Sequence, residues 1–228
     1  MSKVLVVPNV SASIEKFEKM LQLKKTLRAD YLILFDMFGT ESDFFLLRDF
    51  WERLRKELKT DTTIIPIIGE NELGYVTDQF DFCRCPKFKN HIGYKLARDQ
   101  RILPCFSLEG VFYSYAGIST AWLRNGRLMH ENAIRYRLGA NCGPSIIEDY
   151  LMKLTTWDPY TEKNSCMRIS FDELTKTAPS KVCQVVGRDI CSVPFNAGRL
   201  YSTNALDDSL LLLVSDGDPR IVDSVYFV

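Results

Sequence analysis

The sequence has no excess of either charge and very little histidine. Lys and Arg together number 29, as do Asp and Glu, which leaves a net charge of zero at pH 7. This balance excludes any overall electrostatic attraction to nucleic acid or to an anionic membrane. The two histidines, His91 and His130, do not stand beside a Ser or Cys in a recognisable nucleophile motif. We therefore interpret them as surface or packing residues rather than as general bases.

Long apolar runs are also missing. The first run, Val4 to Val7, is much too short for the hydrophobic region of a signal peptide or for a membrane span, so we expect a cytoplasmic protein. Seven cysteines, an odd number without the spacing of a disulfide framework, predict reduced thiols. Cys83 and Cys85 could form half of a zinc site, but a chain with two histidines offers few partners for a tetrahedral centre.

What remains is the composition of an ordinary globular protein. Apolar residues make up 46% of the 228 positions and charged residues 25%, which is enough apolar material for one sizeable core. No internal repeat and no linker rich in Gly, Ser or Pro divides the chain. We predict a single domain over residues 1–228.

Alternating strand and helix signals dominate the first third of the chain. Apolar runs at Val4 to Val7, Tyr31 to Phe35 and Thr62 to Ile68 predict strands covered on both faces. After the first run, Ser11 or Ser13 can cap a helix, and its predicted apolar face consists of Ile14, Phe17 and Leu21. After Gly39 the helical spacing is longer and clearer, with apolar residues at Leu47, Phe50, Trp51, Leu54 and Leu58. These β–α repeats predict a layered α/β core.

The rest of the chain is richer in strand signals. We predict strands at Val111 to Tyr115, Val182 to Val186, Ser209 to Val214 and Ile221 to Val228, and a helix over Pro144 to Leu154. Between the two parts, Asp78 to Gln100 mixes aromatic residues with Lys and Arg. That segment could bind a partner protein or single-stranded nucleic acid, but we favour a solvated excursion over the surface.

Five short stretches, each directly after an apolar run, show a further pattern. They are Pro8 to Ala12, Phe35 to Glu41, Gly69 to Glu72, Ser114 to Gly117 and Val186 to Ile190. In order and spacing they resemble the loops of the calcineurin-like metallophosphoesterases, most closely the bacterial branch related to protein Ser/Thr phosphatases and diadenosine tetraphosphatase. The resemblance implies a layered αββα sandwich of two mixed β-sheets flanked by helices, with the five loops at one edge.

Most of the metal ligands of that family are replaced here. By the resemblance, the positions of the metal site are Asn9, Ser11, Asp36, Glu70, Asn71, Tyr115 and Arg188. Asp36 keeps the bridging carboxylate, whereas Asn71 stands in place of the catalytic histidine and has no imidazolium proton to donate. Arg188 puts a cation where an imidazole would bind metal. We therefore expect no cofactor, and Mn²⁺ or Mg²⁺ enters only in one alternative below.

Two carboxylates without an ion between them are costly to bury, because like charges repel. We hypothesise that Arg188 replaces the ion and forms charge-assisted hydrogen bonds to Asp36, Glu70 or both. The function implied is that of a catalytically inactive phosphoesterase-fold protein that acts by binding another protein.

Two alternatives remain open. In the first, the protein is a metal-dependent phosphatase with altered ligands, in which Asp36, Glu70 and Asn9 hold one Mn²⁺ or Mg²⁺ ion and His91 or His130 acts as the acid. In the second, Arg188 and neighbouring backbone amides bind a phosphate or nucleotide without cleaving it.

Overall fold

A computed structural model describes residues 2–76, 83–98, 101–103, 105–109, 111–117, 171–178, 183–187, 196–197, 200–202, 211–215 and 218–222. Its helices are α1 (Ile14–Leu27), α2 (Phe44–Thr60), α3 (Glu70–Val76), α4 (Pro86–Arg98) and α5 (Phe171–Thr177). Its strands are β1 (Lys3–Val7), β2 (Tyr31–Leu34), β3 (Ile64–Pro66), β4 (Cys105–Leu108), β5 (Val111–Ser114), β6 (Cys183–Val186), β7 (Asn196–Ala197), β8 (Leu200–Ser202), β9 (Leu211–Ser215) and β10 (Asp218–Val222). The predicted α/β class is confirmed.

The first sheet has the order β10-β9-β1-β2-β3. Strands β1, β2 and β3 are parallel to one another, while β9 and β10 are antiparallel additions beside β1. Helices α1 and α2 are the crossovers between the parallel strands, so the loops after β1, β2 and β3 all leave from the same edge of the sheet.

The second sheet has the order β4-β5-β6-β8-β7. Its central strands β5, β6 and β8 are parallel, and β4 and β7 pair with them in the antiparallel sense. Ser114 at the end of β5 is opposite Val186 at the end of β6, so these two strands also end at a common edge.

Successive residues of β1 and β2 belong alternately to two apolar clusters, one on each face of the first sheet. Leu5 and Leu32 belong to the cluster that includes the buried residues of α1 and α2, whereas Val6 and Ile33 belong to a cluster with Tyr113 and other residues of the second sheet. Side chains on a strand point alternately to opposite faces, so a strand packed on both faces must be apolar throughout. This accounts for the continuous apolar runs in the sequence.

The predicted apolar face of α2 is confirmed, and that of α1 is partly wrong. All five predicted residues of α2 are buried. In α1 the buried residues are Phe17, Met20 and Leu23, and Ile14 remains 38% exposed. The Ser13 hydroxyl accepts the Lys16 N–H at 3.1 Å and caps the helix, so the helix begins at Ile14. The Ile14 side chain therefore lies in the first turn, outside the buried row of Phe17, Met20 and Leu23.

The interpretation of 78–100 as a solvated excursion is also wrong for the part that the structure describes. That part contains α4, whose Phe88 is fully buried against the rings of Phe38 and Tyr75, with centroids 5.2 and 5.1 Å apart. Ile92, one turn later, is buried as well. The alternating Lys and aromatic residues concealed an amphipathic helix with a narrow apolar face. The helix predicted at Pro144 to Leu154 lies outside the described residues.

Within the described ranges, no helix is both long enough and apolar enough to cross a membrane.

Candidate functional site

The loops that follow β1 and β2 are joined through their backbones. Val10 N–H and Ser11 N–H both donate to the carbonyl of Asp36 at 3.2 Å, and Ala12 N–H donates to Met37 at 2.7 Å. Ser11, Ala12 and Asp36 have φ values of 52°, 56° and 46°, a left-handed conformation that is unfavourable for residues with a Cβ. The contacts between the loops hold this conformation in place, as is common at functional sites.

The loops after β1 and β2 pack so closely that there is no room for a side chain at Gly39. Its φ is +54°, and a Cβ there would lie 2.9 Å from the Cα of Ser11. The hydroxyl of Ser11 donates to the side-chain oxygen of Asn9 across the same turn. The predicted residues Asn9, Ser11 and Asp36 are therefore brought together.

The loop after β3 adds Asn71, the second residue of α3. Its side-chain Nδ2 donates to Oδ1 of the half-buried Asp36 at 2.7 Å. An amide thus contacts the carboxylate at the position where the resemblance implied a catalytic histidine. Glu70 is the first residue of α3, and its side chain lies outside the described part of the structure.

Glu72 is the residue that sequence reasoning missed. Its side chain is fully buried, and its two oxygens accept the backbone N–H groups of Phe38 and Gly69, each at 2.7 Å. Burial, together with the negative charge of nearby Asp36, raises the pKa of Glu72 to about 8, although both backbone hydrogen bonds act in the opposite direction. A Glu at the third helix position that bonds back to the residue before the helix is half of a capping box, and the Gly69 to Glu72 spacing was the available signal.

Tyr115 and Gly187 bring the second sheet to the same place. The Tyr115 ring lies so close to Gly69 that a Cβ on Gly69 would be 3.1 Å from it. Gly187 N–H donates to the carbonyl of Tyr115 at 3.0 Å, and a Cβ on Gly187 would be 2.3 Å from the ring of Phe35. Residue 187 is therefore confined beside the strand end that leads to Asp36. Arg188 itself lies outside the described residues.

The side chains gathered here do not fit a centre that binds two metal ions. In the portion of the chain that the structure describes, no three His, Cys, Asp or Glu side chains are grouped so that they could hold a metal ion. Asp36 is hydrogen-bonded to Asn71, and both oxygens of Glu72 are bonded to the backbone. The loops at 8–13, 35–43, 67–72 and 115–117 contain neither histidine nor cysteine.

Comparisons with solved structures find a similar fold in protein-tyrosine phosphatases. A cold-active protein-tyrosine phosphatase from a psychrophilic Shewanella species matches over 99% of this chain and 79% of its own, with a TM-score of 0.62 and 14% identity. A second structure of a cold-active protein tyrosine phosphatase matches over 97% and 78%, with a TM-score of 0.57 and 15% identity. A mutant of such an enzyme matches over 99% and 79%, with a TM-score of 0.52 and 13% identity. No family model matches the chain, and neither does any curated protein.

The predicted membership of the calcineurin-like metallophosphoesterases is wrong on these comparisons. The matching structures are described as protein-tyrosine phosphatases, and at these identities the likeness extends to the fold alone. The physical reason is that loops gather at the carboxyl edge of the strands in many α/β folds. Five short stretches in the right order, with most of their ligands replaced, therefore indicate such an edge without identifying a family.

The raised pKa of Glu72 leads to a pH-dependent stability. Between about pH 4.5 and 8 the folded protein keeps a proton on Glu72 that the unfolded chain has lost. The free energy of unfolding contributed by this group therefore falls as pH rises through that window, by at most about 1.4 kcal/mol per pH unit. Glu72→Gln removes this dependence. It also costs about 1–3 kcal/mol at pH 5, because one amide oxygen cannot accept both N–H groups.

The measurement is urea unfolding of the wild type and of Glu72→Gln at about pH 5, 6, 7 and 8, which spans the titration range of Glu72. We expect the difference in unfolding free energy between the two proteins to shrink as pH rises. Glu15→Gln, at an exposed position on α1, is the control and should show no such trend. A difference that stays constant or grows with pH would contradict the assignment.

Proposed function

We propose that this protein has a phosphatase-like fold, does not hydrolyse phosphate esters and acts by binding another protein. The observation that carries the proposal is the hydrogen bond from Asn71 to Asp36, in which an amide engages the Asp36 carboxylate. The likeness to solved protein-tyrosine phosphatases supports the fold, and fold alone does not determine activity.

Hydrolysis of a phosphate ester requires either an activated nucleophile or a metal-bound water. The described loops around Asp36 offer no cysteine or histidine as a nucleophile and base. Asn71 has no titratable proton, so it cannot act as a general acid. The carboxyl of Glu72 is fully buried and bonded to two backbone N–H groups, so it cannot reach a substrate. These features support a binding role over catalysis.

The proposal includes a role for Arg188 in balancing the charge of Asp36. Arg188 directly follows Gly187, which packs on the ring of Phe35 next to Asp36. Its guanidinium would supply the positive charge that a metal ion supplies elsewhere, so that Asn9, Ser11, Asp36, Glu70, Asn71, Tyr115 and Arg188 form a site without a cofactor.

We also propose the four-layer αββα order as the scaffold and the cytoplasm as the location. Support for the layers comes from Leu174 of α5, which lies against the second sheet at Val186, on the side opposite the inter-sheet residue Val185.

A double-mutant cycle tests the role of Arg188. If Arg188 pairs with Asp36, removing either partner alone leaves an uncompensated charge, so Asp36→Asn and Arg188→Met should interact in the double mutant. We expect a coupling energy of about 1–3 kcal/mol, measured as unfolding free energy in urea. Arg28→Met, an exposed arginine after α1, is the matched control. Additive effects within about 0.5 kcal/mol would exclude the pair.

Turnover assays test the absence of hydrolysis. We expect p-nitrophenyl phosphate and a phosphotyrosine peptide to be hydrolysed no faster than in buffer, with or without Mn²⁺ or Mg²⁺, because no activated nucleophile is present. Asp36→Ala should behave identically. A Mn²⁺-dependent rate that Asp36→Ala abolishes would contradict the proposal and favour a metal-dependent phosphatase with altered ligands.

A further inference from the structure

Helices α2 and α4 contact each other, and near their N-terminal ends they expose apolar side chains on α2 and basic side chains at α4. In the first turn of α2, Phe45 is 60% and Leu46 is 54% exposed. Arg84, which lies just before α4, and Lys87, in the first turn of α4, are also exposed. Phe44 connects the two elements, since its ring lies 5.4 Å from that of Phe45 and 5.8 Å from that of His91 on α4. We name Phe45, Leu46, Arg84 and Lys87 the α2–α4 surface.

The apolar part of this surface is not needed for the core of the protein. The buried row of α2 begins at Leu47 and continues through Phe50 and Trp51, so Phe45 and Leu46 lie outside it. Exposed apolar residues that are adjacent, large and rimmed by charge mark interaction sites more often than isolated ones do. Among the described residues, the other large exposed apolar side chain is Ile14, in the first turn of α1.

The basic part is concentrated in a chain whose net charge is zero. Residues 83–98 contain five Lys or Arg and no Asp or Glu. Cys85, Phe88 and Ile92 form the side of this segment that is buried in the core. A positively charged helix of this kind attracts acidic groups and speeds the encounter with them.

The geometry favours a protein over a nucleic acid as the occupant. The guanidinium of Arg48 lies 5.2 Å from the centroid of the Phe45 ring and is bonded to the Asp49 carboxylate, so one face of the ring is unavailable for stacking on a base. Leu46 has no ring to stack. A nucleic acid carries a charge at every nucleotide, and Asp43 and Asp49 beside Phe45 would repel its phosphates. A peptide can place apolar side chains over α2 and carboxylates over α4.

We propose that the α2–α4 surface binds an acidic segment of a partner protein, with apolar side chains on Phe45 and Leu46 and carboxylates on Arg84 and Lys87. This inference rests on the proposed protein-binding function and adds where the partner binds and what its chemistry is. It replaces the earlier candidate, in which the aromatic residues of 78–100 contacted the partner, because Phe88 is in the core.

The test is selection from a displayed library of random peptides against the purified protein. We expect the enriched peptides to be acidic and to contain Leu, Ile, Phe or Trp. Affinities of synthetic copies are then measured by fluorescence anisotropy against three variants. Phe45→Ser with Leu46→Ser should weaken binding about tenfold or more. Arg84→Ser with Lys87→Ser should weaken it several-fold at low salt and less at high salt.

Lys25→Ser with Lys56→Ser, two exposed lysines on α1 and α2, is the matched control and should bind like the wild type. Circular dichroism and thermal unfolding confirm that each variant is folded. No enrichment, enrichment of neutral or basic peptides, or equal binding by the Phe45/Leu46 variant would each overturn the inference. The inference would also be overturned, in favour of nucleic acid, if oligo-dT bound more tightly than the peptides and only the Arg84→Ser/Lys87→Ser variant lost that binding.

The outcomes separate this inference from the proposed function. Peptides that bind all variants equally would leave a protein-binding role intact and place it on another surface. Metal-dependent phosphatase turnover would overturn the proposed function whatever the peptides show.

Discussion

Two carboxyl groups, those of Asp36 and Glu72, lie near each other at the carboxyl edge of the first sheet, and hydrogen bonds from neighbouring residues hold them there. The charge of Asp36 contributes to the raised pKa of Glu72, and burial contributes more. The protein accommodates the pair with hydrogen bonds: Asn71 donates to Asp36, and the backbone of Phe38 and Gly69 donates to Glu72. Because those donors come from different loops, the same bonds fix the loops to each other.

This arrangement lies in a fold that is similar to that of solved protein-tyrosine phosphatases. The parallel strands still deliver Asn9, Asp36 and Asn71 to one place. The Asn71 amide donates to Asp36 at this place, and the Ser11 hydroxyl donates to Asn9. The α2–α4 surface begins where the loop after β2 ends.

The sequence predicted the elements whose patterns were long and consistent. The row from Leu47 to Leu58 could be read as one buried helix face, and the run from Val4 to Val7 as a strand packed on both sides, because each has a single periodicity. The short α1 pattern was compatible with two faces, and only packing shows that Met20 rather than Ile14 is buried. In α4 the apolar face is narrow, so the surrounding lysines dominated the pattern.

The candidate site was predictable in position and less so in chemistry. Loops after parallel strands of one sheet leave from the same edge, which is why Asn9, Asp36 and Asn71 lie close together. The spacing from Gly69 to Glu72 indicates the hydrogen bond to Gly69, whereas no local pattern reveals the one from Phe38. The short motifs led to the wrong family, because matches in spacing with few matching residues carry little chemical information.

The central claim is that protein groups, rather than an ion, balance the charge of Asp36. Calorimetric titration of the purified protein with Mn²⁺, in parallel with Asp36→Ala, tests this most directly. The account predicts no binding heat in either protein, with both folded by circular dichroism. Binding in roughly the micromolar range that Asp36→Ala removes would contradict it, because an ion that competes successfully with Asn71 would show that the site still has metal chemistry.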